Sequence, residues 1–128
     1  MKFSQEDPTD GHRIRSYNET SVVIQSGNEP ELTTMTRPFI LDARQLVTVW
    51  SINTINDFKT DDVDYFKSLD IEVLILGQTL VTRLPPSILA EFSAQGIGVE
   101  QMPIGPACRT YNLLISEDRQ VALAINFD

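Results

Sequence analysis

From Thr60 onward, the chain alternates between two hydrophobic patterns, and this alternation is the feature that most restricts its fold. Val73 to Leu76 are four consecutive apolar residues, a pattern typical of a strand covered on both faces. The segments on either side carry apolar residues at helical spacing. Helices that alternate with fully buried strands predict a layered α/β domain, with the Val73–Leu76 strand at the centre of its sheet.

Local signals predict where these elements begin and end. Thr60 is expected to cap a first helix that carries Asp61–Asp62 in its first turn. Pro85–Pro86 suit the start of a second helix, and Gly96 suits a left-handed cap at its end. Pro106 is expected to open a third helix. Its predicted buried face holds Ala107, Tyr111, Leu114 and Ile115, and the two remaining strands are predicted at Gly98–Met102 and Gln120–Phe127.

The N-terminal half is predicted to be extended chain. Arg13–Tyr17 and Ser21–Gln25 are rich in β-branched and aromatic residues and are separated by a turn, which predicts a hairpin. Glu31–Thr36 and Pro38–Leu41 are also expected to be extended, because proline disfavours helical backbone at the residue before it. Leu46–Ile52 is predicted as strand and loop.

Length and charge restrict the class of protein. The 128 residues fit one domain, so we expect a single domain over residues 1–128, with residues 1–11 forming a flexible N-terminal segment. The net charge of −8 argues against nucleic acid or an anionic membrane as a partner. The first residues lack the apolar stretch of a secretory signal, and no apolar segment reaches the length of a membrane span. A cytoplasmic protein without direct membrane insertion is expected.

The residue types of common catalytic and metal sites are scarce. The chain has one cysteine, Cys108, and one histidine, His12, so it can form neither an internal disulfide nor a histidine cluster. Gly96–Gly98 lacks the third glycine of a dinucleotide loop, and Gly77 is not followed by the lysine of a phosphate loop. The carboxylates between Asp57 and Asp64 lack the spacing of a calcium loop and are interpreted as helix-start residues. We predict no catalytic residue, cofactor or metal site.

The start of the third helix is the one segment with a specific chemical hypothesis. If Pro106 opens the helix, Cys108 lies in its first turn, where free N–H groups stabilise a thiolate or an anion and Arg109 adds positive charge. The interpretation that the sequence favours is that Cys108 is a small packing residue and that Arg109 pairs with a surface carboxylate. The candidate anion-binding residues are Cys108, Arg109, Thr110 and Asn112.

Most of the chain follows a sequence pattern known from one family. The pattern comprises Gly96–Glu100, Met102, Ala107–Leu114, Glu117, Arg119, Val121, Ala122 and Ala124, with Leu74–Gly77 and Leu84–Pro86 upstream and weaker matches in the N-terminal strands and at Trp50. It resembles the Mth-type domain of unknown function, whose members include a mitochondrial complex I assembly factor and the adipogenesis-associated Mth-domain protein. The chain departs from the family pattern at Thr79, where a glycine is frequent, and at Ile104, where a threonine is frequent.

The resemblance implies a three-layer α/β sandwich on a mixed β-sheet, and it implies little biochemistry. Its best characterised members bind other proteins during assembly of the respiratory NADH:ubiquinone oxidoreductase. The expected function is therefore that of a non-enzymatic interaction or assembly factor with unidentified protein partners, whose binding surface includes apolar residues near Trp50. The alternative is a small-molecule (anion) binding protein or a thiol-dependent enzyme that uses the Cys108–Asn112 helix start.

Overall fold

The computed structural model describes residues 11–27, 31–50 and 57–127. The described residues form eight strands and three helices. In chain order these are β1 (His12–Tyr17), β2 (Val22–Ser26), β3 (Leu32–Met35), β4 (Phe39–Asp42), β5 (Leu46–Val47), α1 (Thr60–Ser68), β6 (Val73–Gln78), α2 (Pro86–Ala94), β7 (Gly98–Pro103), α3 (Ile104–Ser116) and β8 (Val121–Asn126). The flexible segment expected at residues 1–11 lies outside the described residues except for Gly11, and so does the end of the predicted Leu46–Ile52 strand and loop.

The strands form two sheets. β1, β2 and β3 make an antiparallel three-stranded sheet, which contains the predicted hairpin. The second sheet has the order β5-β4-β8-β6-β7; β6 runs parallel to β8 and β7, whereas β4 runs antiparallel to β8 and β5. The predicted mixed sheet is confirmed. β6 is an interior strand as expected, although the middle position belongs to β8.

Both faces of the five-stranded sheet are buried, which produces three layers. In β6, Leu74 and Leu76 point to one side and Ile75 to the other, as the period of two requires. On the Leu74 side the sheet packs against α1 and α2, through Val63, Phe66, Ile88 and Phe92. On the Ile75 side it packs against α3 and the three-stranded sheet, through Ile14, Val22, Ile24, Met35, Ala107, Cys108 and Tyr111. The α/β sandwich expected from the sequence is confirmed.

The helix starts differ from the sequence prediction in two places. Thr60 is the first helical residue of α1 and not its cap. The residue before it, Lys59, donates its backbone N–H to Asp62 Oδ2 at 2.8 Å. α3 begins at Ile104, two residues before the expected Pro106. Proline is tolerated there because the first-turn N–H groups of a helix have no partner within it. Gly96, with φ of +78°, ends α2 as predicted.

Candidate functional site

The side chains of Tyr111 and Asn112 attach α3 to the outer edge of β1. Asn112 Oδ1 accepts the N–H of Ile14 at 2.9 Å, and Asn112 Nδ2 donates to the Ile14 carbonyl at 2.9 Å. One residue earlier, the Tyr111 hydroxyl donates to the His12 carbonyl at 2.8 Å. Asn112 therefore bonds β1 as a neighbouring strand would, and its carbonyl and amino groups are each engaged with the protein backbone.

The Cys108 thiol lies inside the core. Its side chain is fully buried among the residues between α3 and the sheet, as the packing interpretation predicts. Burial raises its pKa to about 12, and the opposing effect of the Arg109 charge is smaller. Since α3 begins at Ile104, Cys108 lies in the second turn and not in the first. Cys108 is therefore a neutral, buried thiol and not the thiolate that was weighed against packing.

Arg109 and Thr110 point to different neighbours. Arg109 Nη1 donates to the Tyr17 hydroxyl at 2.5 Å, and its guanidinium carbon lies 6.0 Å from the centre of the Tyr17 ring. This phenol takes the place of the carboxylate that the sequence interpretation assigned to Arg109. Thr110 Oγ1 lies 3.6 Å from Met102 Sδ in β7. None of the four candidate residues lines the cleft described next, although Arg109 lies beside Gly105, which does.

A cleft of about 280 Å³ lies where the β1–β2 turn, the end of β6 and the start of α3 meet. In α/β sheets, ligands bind outside the carboxyl ends of the parallel strands, which is where this cleft opens. Thr79 and Ile104, the two departures from the family pattern, both belong to its wall. The lining residues are Tyr17, Asn18, Glu19, Gln78, Thr79, Pro103, Ile104 and Gly105.

Gly105 is the position that brings the hairpin close to the helix start. A Cβ at this position would lie 3.1 Å from Tyr17 Cε1 and 3.3 Å from Arg109 Nη1. A side chain at this position would therefore require the Tyr17 ring and the Arg109 guanidinium to shift by a few tenths of an ångström. Sequence reasoning missed Tyr17, because this residue precedes α3 by more than eighty positions and only the tertiary fold brings the two together.

The cleft wall contains few groups for chemistry. Asn18 Oδ1 is engaged by the N–H groups of Thr20 and Ser21, both at 2.8 Å, so it stabilises the turn. The Thr79 hydroxyl donates to the Phe127 carbonyl at 3.1 Å. Glu19 is the one lining residue with a charge. Across residues 11–27, 31–50 and 57–127, no group of three or more His, Cys, Asp or Glu side chains is placed to hold a metal ion.

Apolar side chains are exposed beside the cleft and at the β5 edge of the sheet. Leu80 and Val81 follow β6 with 75% and 44% of their surface exposed. At the opposite edge, after β5, Val49 is 82% exposed. Trp50, near which a partner surface was expected, packs edge-on against Phe58 at a ring distance of 5.7 Å. Its ring is therefore part of an aromatic cluster, whereas Val49 remains accessible.

Comparisons with known proteins give consistent matches. Residues 14–126 match the model of a family described as protein of unknown function (DUF498/DUF598). The chain is 37% identical, over 59% of its length, to a Danio rerio protein named NADH dehydrogenase [ubiquinone] 1 alpha subcomplex assembly factor 3, and the match covers 45% of that protein. It is 32% identical, over 69% of its length, to the 13 kDa major membrane protein of Francisella tularensis, with 73% of that protein covered.

Two solved structures have the same fold. The solution structure of a Xanthomonas campestris protein has a TM-score of 0.78 at 29% identity and covers 98% of this chain and 91% of its own. A Mth938-like domain from Bordetella pertussis has a TM-score of 0.72 at 19% identity and covers 94% and 87% of the two chains. The resemblance inferred from the sequence is thereby confirmed. Within the described part of the chain, no helix has the length and apolar character needed to cross a bilayer.

Proposed function

The chain belongs to the DUF498/DUF598 family of proteins of unknown function, and we propose that it is a non-enzymatic interaction protein that assists the assembly of a larger complex. The observation that carries this proposal is its 34–37% identity to three animal proteins named as assembly factor 3 of NADH dehydrogenase. The chain spans less than half the length of these relatives, 43–45%. The complex that it serves is therefore left open.

The chemistry of the α3 start supports an interaction role over a thiol enzyme. Cys108 is buried and its pKa is raised to about 12, so the nucleophilic thiolate is scarce near neutral pH. Tyr111 and Asn112 are engaged with the backbone of β1. By contrast, Leu80 and Val81 offer adjacent exposed apolar groups of the kind that protein interfaces cover.

Affinity capture of the tagged full chain from native lysate tests the proposal. We expect the same partner protein in repeated captures, in a fixed ratio to the tagged chain. Leu80→Ser should reduce its recovery, whereas Val49→Ser, a matched change at the opposite edge of the sheet, should not. Repeated recovery of the tagged chain alone would contradict the assembly role. Loss of the partner with Val49→Ser would instead indicate that the binding surface lies at the β5 edge.

A second candidate function, binding of a small anion, is favoured by the position of Arg109. Its Nη1 lies beside Gly105 at the wall of the cleft, next to the first turn of α3. Titration with inorganic phosphate, followed by backbone amide shifts, tests this candidate. Saturable shifts at Ile104 and Gly105 that disappear in Arg109→Gln would support it, and shifts that grow linearly with salt would refute it.

The cellular location is part of the same proposal. The sequence analysis expects a cytoplasmic protein, whereas one relative bears the name of a membrane protein. Fractionation of cells that produce the full chain distinguishes the cytoplasmic location from a membrane location. Recovery in the soluble fraction at physiological salt supports a cytoplasmic site of action, and recovery with membranes that survives a high-salt wash contradicts it.

A further inference from the structure

We propose that the free edge of β7 binds an extended, basic segment of the partner protein by strand addition. This inference rests on the proposed function, since it assumes a protein partner. It names the surface used and the chemistry of the segment that is recognised.

The hydrogen-bond register shows which backbone groups of β7 point outward. The N–H of Gly98 donates to the Glu72 carbonyl at 2.9 Å, and β7 pairs with β6 alone in the sheet. Because backbone groups alternate along a strand, Glu100 and Met102 also face β6. The N–H and C=O groups of Val99 and Gln101 therefore face away from the sheet. They form two donor and acceptor pairs that an added strand could satisfy.

The other edges in the described residues are less available. β5 has two residues, which is too short to template a partner strand. The edge of β1 is occupied by Tyr111 and Asn112 of α3. β3 has four residues, and β7 has six. Among the described strands, β7 is thus the longest edge strand that no other element covers. Natural sheets rarely leave such an edge without a covering element or a feature that blocks pairing.

The side chain of Gln101 holds β7 in place from the α2 side. Its Oε1 accepts the N–H of Leu84 at 3.0 Å, and its Nε2 donates to the Thr82 carbonyl at 2.6 Å. The strand is therefore fixed before any partner arrives. A fixed edge reduces the entropy lost on binding.

Charge selects a basic segment over a second copy of this chain. Glu100 is exposed and is the one charged residue of β7. The whole chain carries −8, so two copies repel each other. Glu100 lies on the α3 face of the sheet, as does Met102, whereas Val99 lies on the α2 face and is partly buried. An added strand that alternates basic and apolar residues can place its basic side chains near Glu100 on one face and its apolar ones near Val99 on the other.

The test is a titration of the full chain with two short capped peptides, followed by backbone amide NMR. One peptide alternates lysine and valine, and its control has glutamate in place of each lysine. We expect the lysine peptide to shift the Val99 and Gln101 amides and to slow their exchange with solvent. The glutamate peptide should bind about tenfold more weakly, a difference of about 1.4 kcal/mol. Glu100→Lys should reverse the preference.

Val99→Pro supplies the backbone test, because it removes an outward N–H without touching the β6 ladder. Binding should be lost in Val99→Pro and kept in Val99→Ala, with unchanged β6 amide signals reporting an intact sheet. The inference is overturned by no binding of either peptide, equal binding of both, or shifts at β3 or the cleft instead of β7. Self-association through β7 also overturns it. If Val99→Pro still captures the cellular partner in full, strand addition fails while the assembly role stands.

Discussion

Single polar side chains replace backbone hydrogen bonds in this protein. The side-chain amide of Asn112 bonds to both the N–H and the carbonyl of Ile14. Without Asn112, these two backbone groups would be unpaired at the edge of β1. The sequence predicts Asn112 as one of four candidate anion-binding residues. In the fold, its carboxamide bonds to the backbone of this same chain.

We predict that Asn112→Ala lowers the free energy of unfolding by about 2 kcal/mol, because two backbone groups of Ile14 lose their partners in a partly buried place. Urea denaturation at neutral pH measures the change. Ser116→Ala is the matched control on the same helix, since its hydroxyl bonds only to the nearby Leu113 carbonyl and is exposed. It should change stability by less than about 0.5 kcal/mol. Equal effects of the two variants would show that the Asn112 pairing contributes nothing specific.

The buried thiol of Cys108 predicts a dependence of stability on alkaline pH. Burial raises its pKa from 9.0 to about 12 in the folded chain. The unfolded chain loses the thiol proton first, so the stabilisation is complete below pH 9 and is lost as the pH rises toward 12. The free energy of unfolding should therefore begin to fall near pH 9 and continue to fall toward pH 12. The fall should be smaller in Cys108→Ala, which retains the raised pKa of Tyr111. An identical slope in both proteins would argue against a protected thiol.

At the scale of elements, α3 packs on the sheet at a distance set by Gly77. A Cβ on this residue of β6 would lie 2.8 Å from Ala107 Cβ and 2.5 Å from Ile125 Cδ1. Ile125 can move the end of its side chain, but Ala107 is fixed to the helix. Only a hydrogen at this point lets the start of α3, and with it the wall of the cleft, reach its position.

Gly77→Ala should therefore lower stability by about 1–3 kcal/mol through overpacking. Thermal denaturation followed by far-UV circular dichroism measures the loss. Gly98→Ala is the control in the neighbouring strand, because its Cβ would meet nothing closer than the Glu72 carbonyl at 3.8 Å. A neutral Gly77→Ala variant would mean that α3 can shift away from the sheet at little cost.

The two misplaced helix starts have a common cause. Capping preferences favoured Thr60, and the fixed φ of proline favoured Pro106, as first residues of their elements. In the fold, the direction of the preceding segment decides where a helix begins. β7 ends at Pro103, and α3 begins at the next residue, Ile104. Local propensity therefore located both helices within two residues but could not set their first residue.

At the scale of the whole molecule, two apolar clusters share one sheet. Trp50 lies on the α1 and α2 side, and Tyr111 lies on the α3 side. Because Leu74 and Ile75 are neighbours in the same strand, loss of either cluster exposes the sheet that supports the other. We predict one cooperative unfolding transition.

The fluorescence of Trp50, the one tryptophan of the chain, and far-UV circular dichroism should report the same urea midpoint. Near-UV circular dichroism, to which Tyr111 contributes, should follow both. Phe92→Ala on one side and Ile75→Val on the other should each shift all three signals together. Separate midpoints for the two sides would show that the layers unfold independently.

The sequence by itself determined the α/β class, the hairpin, the order of strands and helices after Thr60, and the family. These properties depend on periodicity and on short motifs, which act within a few residues of each other. Only the tertiary structure decided the use of the Cys108–Asn112 run, because the partners of Arg109 and Asn112 come from β1, more than ninety positions earlier. The same holds for the cleft and for the open edge of β7. A side chain's neighbours across such distances are set by how the layers pack, and local sequence does not encode them.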